Sequence, residues 1–243
     1  GAQSPGDFSN RGTDFWVGYA THNLMYSNAT TMDSDGGEQT MVLYFTTDID
    51  AVVSVTVPGL GETIVSGLPV PANTVQSVVV PKSVGSTLPP FSKQLYREGL
   101  FNSAINITSD NGVPIVAYAH IYGNLVSGAS LLLPSNTWGT QYYAISAPQI
   151  TSSGSSTGSY NYFFVVAKDD NTVIEITPTV TTTGGLLPGQ TTTVTLNRGQ
   201  IYNVLASKVG GEDVTGSFVK STDCTKKIAV FSGSGRVGIP SSC

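Results

Sequence analysis

The side chains able to do chemistry are few in this chain. There are two histidines, His22 and His120, and neither belongs to an H-E-x-x-H or H-x-H pair. Acid–base or nucleophilic catalysis needs a base within hydrogen-bond reach of a nucleophile, and no spacing here supplies one. His120 sits in Ala117-Tyr118-Ala119-His120-Ile121-Tyr122. Alternation puts it on one face with Tyr118 and Tyr122, opposite Ala119 and Ile121, as a packed or edge-of-sheet histidine. Gly154-Ser155-Ser156-Thr157-Gly158 spells G-x-S-x-G. A nucleophile elbow requires a strand before it and a helix after, whereas a Ser/Gly linker surrounds this one. Asp33-x-Asp35-Gly36-Gly37-Glu38 crowds hard oxygens into a glycine-rich turn, the setting Ca²⁺ uses. Asp33, Asp35 and Glu38 are therefore the candidate metal ligands. The EF-hand spacing is absent, because Gly37 stands where a third ligand belongs, and a solvated turn is the competing reading. Aromatic side chains cluster near Phe15-Trp16 and Tyr142-Tyr143. Trp16, Tyr19, Tyr26 and Trp138 are the candidate ligand-binding rings, since aromatic faces stack on sugars or anchor protein partners. The competing reading is that they fill hydrophobic cores. Asn28-Ala29-Thr30 and Asn106-Ile107-Thr108 are sequons, the second inside an expected strand.

The elements that must position these residues come as two copies of one pattern. Gly12-Thr13-Asp14-Phe15-Trp16-Val17 returns as Gly139-Thr140-Gln141-Tyr142-Tyr143-Ala144. Leu43 to Pro58 returns as Phe164 to Pro178, Val75-Gln76-Ser77-Val78 as Ile201-Tyr202-Asn203-Val204, and Thr108-Ser109-Asp110 as Ser221-Thr222-Asp223. Apolar alternation and turn residues recur, while reactive side chains do not. Runs such as Val52 to Val57 and Thr172 to Thr177 are β-branched and alternate, with Asp, Asn, Gly and Pro between them. Short strands at intervals of roughly 8–12 residues argue for β-sandwiches. The fold class expected is all-β: two tandem β-sandwich-like modules related by an internal repeat. Residues 1–11 form a lead-in, 12–138 the first module and 139–243 the second, with hydrophobic packing between them. Phe91 to Gly99 is the best helix candidate, one or two turns long.

Bulk composition narrows the function. Charged residues are 11% and the net charge is −5, which argues against nucleic acid, because binding phosphates needs clustered Lys and Arg. No window of 18 apolar residues spans a membrane. Cys224 and Cys243 fit a disulfide closing a loop of about 20 residues, contributing on the order of 3 kcal/mol; two free thiols are the alternative. A chain ending on cysteine partway through its second repeat reads as cut from something longer. Its start reads as a mature or engineered N-terminus.

Asp14-Phe15-Trp16-Val17, Val70-Pro71-Ala72-Asn73-Thr74-Val75, Ser127-Gly128-Ala129-Ser130-Leu131-Leu132-Leu133-Pro134, Asp170 to Pro178 and Leu196-Asn197-Arg198-Gly199-Gln200-Ile201-Tyr202 resemble the N-terminal domain of IgGFc-binding proteins. The resemblance runs from about Asp14 to Cys243. It implies a secreted or cell-surface β-rich module, similar to domains of bacterial surface proteins that carry adhesion repeats. It carries no catalytic residues. The expected function is a non-enzymatic extracellular adhesion or recognition module with a protein or glycan partner and no cofactor beyond the Ca²⁺ considered above. A structural spacer that displays other domains is the alternative, and a secreted hydrolase comes last.

Overall fold

The computed structural model describes residues 10–27, 31–85, 88–123, 126–149 and 160–237. The linker carrying the G-x-S-x-G spelling, the Asn28 sequon and Cys243 lie outside the described residues. Within them the regular elements are strands and three short 3-10 turns. In chain order the strands are β1 (Asp14–Val17), β2 (Thr40–Thr46), β3 (Ala51–Val57), β4 (Glu62–Val70), β5 (Val75–Val80), β6 (Gly99–Phe101), β7 (Ile105–Ser109), β8 (Val116–Gly123) and β9 (Val126–Leu131). There follow β10 (Gln141–Tyr143), β11 (Asn161–Ala167), β12 (Thr172–Thr177), β13 (Thr192–Leu196), β14 (Ile201–Leu205), β15 (Phe218–Ser221) and β16 (Ile228–Ser234). The segment Phe91 to Gly99 forms turns, not a helix. Pro89-Pro90 precedes it. Leu95 N–H then bonds to the Tyr19 carbonyl and Lys93 N–H to the Lys82 carbonyl, so its backbone groups go outward and no i→i−4 ladder can form.

The strands make four antiparallel sheets, β1-β7-β3-β4 and β5-β2-β8-β9 in the first half, β10-β15-β12-β13 and β16-β11-β14-β6 in the second. The repeat is visible in the order: β1, β7, β3 and β4 hold the places that β10, β15, β12 and β13 hold later. Each half closes a sandwich over its own core, because period-two alternation turns one side chain set inward. β3 alternates without a break, with Ala51, Val53, Val55 and Val57 buried. They meet Phe15, Leu43, Phe45, Ile105 and Ile107 in one cluster. The second core gathers Phe163, Val165, Ile174, Ile176, Val204 and Val219. Each such side chain removed from water contributes about 1.5–3 kcal/mol.

Strand pairing, apolar packing and side-chain contacts join the halves. A third cluster contains Trp16, Leu95, Phe101, Ala104 and Trp138 from the first half with Phe164, Val166, Ile201 and Ala229 from the second. β6, a strand of the first half, pairs with β14 of the second, with Phe101 opposite Ile201 and Leu100 opposite Tyr202. The Arg198 guanidinium also lies 4.9 Å from the centre of the Trp16 ring, a cation–π contact across the junction.

Register shifts the sequence alignment of the repeat by one residue in several places, Thr108 falling on Lys220 and not Ser221, and the shift in β2 matters most. Tyr44 pairs with Tyr118 and Ser77, and Phe164 with Phe231 and Asn203. Tyr44 is therefore the counterpart of Phe164, where the sequence match set Leu43 against it. The hairpin after β11 is one residue longer than that after β2, from Ala167 to Val173 against Thr47 to Val52. A one-residue slip exchanges the faces of a strand.

Candidate functional site

The four ring candidates are all core residues. Trp16, Tyr19, Tyr26 and Trp138 are buried, so none offers the open face that stacking requires. Trp16 and Trp138 belong to the junction cluster. Tyr19 and Tyr26 pack in the first core, and the Tyr26 hydroxyl donates to the Tyr96 carbonyl at 2.8 Å. Burial pushes the Tyr19 and Tyr26 phenols far above their ordinary range, as expected when the charged form loses water. Sequence cannot separate a core ring from a surface ring where strands are short, and here the core reading is the one realised.

The acidic turn is tied up internally. Asp35 Oδ1 accepts from Gly37 N–H at 2.9 Å, the Gln39 amide donates to the Gly36 carbonyl at 2.6 Å, and the Gln94 amide donates there at 2.9 Å. The Lys82 ammonium donates to the carbonyls of Asp35 and Gly37. A cationic side chain thus already sits on two backbone carbonyls of this turn. Among the described residues no group of three or more His, Cys, Asp or Glu converges as metal ligands. Gly37 has φ +81°, and a Cβ there would lie 1.6 Å from the Leu24 carbonyl oxygen, which explains the glycine by close packing. Cys224 is an exposed free cysteine.

The histidines have structural surroundings. His22 Nδ1 accepts from Leu24 N–H at 3.2 Å, capping the turn Asn23–Met25. Burial lowers its pKa to about 4, so it is neutral at physiological pH. His120 lies between Tyr44, 6.4 Å away centre to centre, and Tyr122, 5.0 Å away. The Asn106 amide donates to Asp14 Oδ1 and the Phe15 carbonyl, so this sequon residue is a buried strap between β1 and β7.

Two clefts lie at the junction. One, about 220 Å³, is lined by Thr21, His22, Ser130, Tyr162, Ser232 and Ser234 among others. The other, about 340 Å³, is lined by Tyr26, Tyr96, Arg97, Glu98 and Tyr160 among others. They fall at or below the lower end of the roughly 300–1,000 Å³ usual for small-molecule sites. Their polar groups are also spent inside the protein. Thr21 donates to the Leu95 carbonyl, Ser232 to that of Ile145, and Glu98 accepts from Thr182 and from Leu205 N–H. Burial raises the Glu98 pKa, and these hydrogen bonds oppose the shift.

The surface that stands out is the outer face of the sheet β5-β2-β8-β9. Register puts Tyr44 beside Tyr118, and Tyr118 beside Leu131. Val42 lies beside His120 and Val79, and Thr46 beside Val75. Tyr118, His120 and Tyr122 follow at alternate positions of β8, as their sequence spacing implied. Val75 and Val79 are 66% and 59% exposed, and Tyr118, Tyr122 and Leu131 are exposed as well. No Asp, Glu, Lys or Arg stands among these positions. The sequence does carry a signal for this face. The run Val75 to Val80 supplies apolar side chains to both sides of β5, with Val78 packing inward while Val75 and Val79 point out. Tyrosine and histidine rings give this apolar face polar edges of the kind that suit sugars or peptide groups.

Residues 128–243 match the family model described as IgGFc binding protein. The matched segment starts in β9 and contains β10 to β16; the resemblance read over 14–127 stands outside it. No curated protein matches the chain at a significant level.

Proposed function

Taking the match of residues 128–243 to the IgGFc binding protein family as premise, we propose that this chain is a non-enzymatic recognition module of a secreted or cell-surface protein. It engages a protein or glycan partner through the open face of the sheet β5-β2-β8-β9. The first half repeats the order β10-β15-β12-β13 of the matched half as β1-β7-β3-β4, which supports one architecture shared by both halves. The observation that carries the reading is the uncharged row of Tyr44, Tyr118, His120 and Tyr122 on a solvent-facing sheet. Hot spots favour such rings, each costing more than about 1–2 kcal/mol on truncation. The match to a binding-protein family supports the non-enzymatic part.

The test is an array of glycans, mucins and extracellular proteins probed with wild type, Tyr118→Ala and Tyr122→Ala. Signals present for wild type and weakened at least tenfold in both variants support the reading. Signals unaffected in both refute this face as the site. An array silent to wild type favours the structural spacer, a reading to which the buried junction cluster lends support.

A further inference from the structure

The two halves treat one and the same sheet face differently. In the second half, the counterparts of Thr46, Tyr44, Val75, Val116 and Tyr118 are Val166, Phe164, Ile201, Ala229 and Phe231, by matching register. Phe164, Val166, Ile201 and Ala229 are buried because the first half sits on them through Trp16, Leu95, Phe101 and Trp138. In the first half Val75 and Tyr118 are exposed and Tyr44 and Thr46 half-buried, while Val116 alone is buried. One half thus demonstrates what this kind of face accepts: the β1 corner of another repeat.

The donor corner has an open counterpart as well. Trp16 lies opposite Asn106 in register, and Tyr143 opposite Phe218, so Tyr143 is the counterpart of Trp16. Tyr143 is 68% exposed, and Ile145, two residues on, is 76% exposed. Tyr143 and Phe218 form a ring pair 4.9 Å apart. An apolar corner therefore stands open in the second half and an apolar, uncharged sheet face in the first, the counterparts of the two sides of the internal junction.

We propose that the occupant of the open sheet face is a second copy of this chain, which docks its Tyr143–Ile145–Phe218 corner over Tyr44, Tyr118, Val75 and Val79 in a head-to-tail contact. The proposal rests on the reading of this face as the recognition site and names its partner. The contact is heterologous, so it leaves one open face and one open corner on every dimer and extends into chains rather than closing. It is weaker than the internal junction. The second half has no counterpart of β6 between β14 and β15, and the tether that holds the internal pair together is missing, which lowers the effective concentration.

The experiment is sedimentation velocity on the purified chain from low concentration up to about 1 mM, the range in which a contact of about −4 kcal/mol is visible. Wild type should show species beyond the dimer that grow with concentration. Tyr118→Asp and Tyr143→Asp should each be monomeric alone, both being surface changes that leave the cores intact. Mixed together, they should form a dimer and nothing larger, since one variant retains the corner and the other the face. A monomeric wild type over the whole range overturns the proposal. So does association abolished by Tyr118→Asp but untouched by Tyr143→Asp. If wild type stays monomeric while Tyr118→Ala still abolishes array binding, the recognition reading stands and only the identity of the partner falls.

Discussion

Replacing Phe164 by alanine, and separately replacing its counterpart Tyr44, tests the asymmetry between the two sheet faces. Phe164 is 1% exposed, stacked on Phe231 at 4.9 Å and 14°, and held among Trp16, Leu95 and Ile201. Removing a buried phenylalanine ring costs about 3–5 kcal/mol, part of it lost transfer energy and part the cavity left behind. Tyr44 occupies the same register position on a face open to water and is only half buried, so its truncation is expected to cost about 1 kcal/mol. The assay is urea unfolding followed by tryptophan fluorescence. Both tryptophans of the chain lie in the junction cluster, which makes the signal report on the contact being tested. In thermal unfolding the Phe164 variant should melt about 6–20 °C lower, at about 2–4 °C per kcal/mol for a chain of this size. Costs equal within about 0.5 kcal/mol, the usual limit of additivity between sites, would show that the second face is no more covered than the first and would refute the argument.

Acidification is expected to destabilise the fold through His22. Its pKa falls from the ordinary 6.5 to about 4 in the folded state, so between those values the unfolded chain binds more protons. Stability is full above pH 6.5 and declines as pH falls toward 4, by about 3 kcal/mol in all. His22→Asn keeps a capping side chain without a titrating group, and denaturation at several pH values should show a shallower acid decline; identical pH profiles would contradict this. Asn161 is fully buried and donates to Ser146, Ala147 and Ser234 while accepting from Val214 N–H. Asn161→Leu should cost about 2–4 kcal/mol by stranding those partners, and a change under about 0.5 kcal/mol in calorimetry would contradict it. Calcium should leave the melting temperature unchanged, because Lys82 holds the carbonyls of the acidic turn. A bound ion at a hundred times its Kd would add about 2.7 kcal/mol, so a clear upward shift would overturn that account.

Strand positions and the sandwich class were legible in the sequence because alternation is a direct image of a half-buried strand. Val52 to Val57 and Thr172 to Thr177 show it without ambiguity. β6 was not legible: three residues, Gly99-Leu100-Phe101, carry no period, and its partner β14 lies about a hundred residues on. The lengthened hairpin after β11 hid the true pairing of Tyr44 with Phe164, since apolar residues on both faces of β11 made either register plausible. For the site, the alternation around His120 gave the row on β8. The cross-strand neighbours Tyr44, Val79 and Leu131 depend on strand order, which no local pattern encodes. The tryptophans misled for the converse reason: a large ring is equally at home on a binding face and in a core, and burial is decided by what packs above it.

β6 also fixes how the chain carries mechanical load. Because Gly99–Phe101 is clamped antiparallel along β14, tension that draws the two halves apart must shear or peel this strand and pull Phe101 and Trp138 out of their apolar seat. Pulling the halves apart therefore has to break backbone hydrogen bonds as well as side-chain packing.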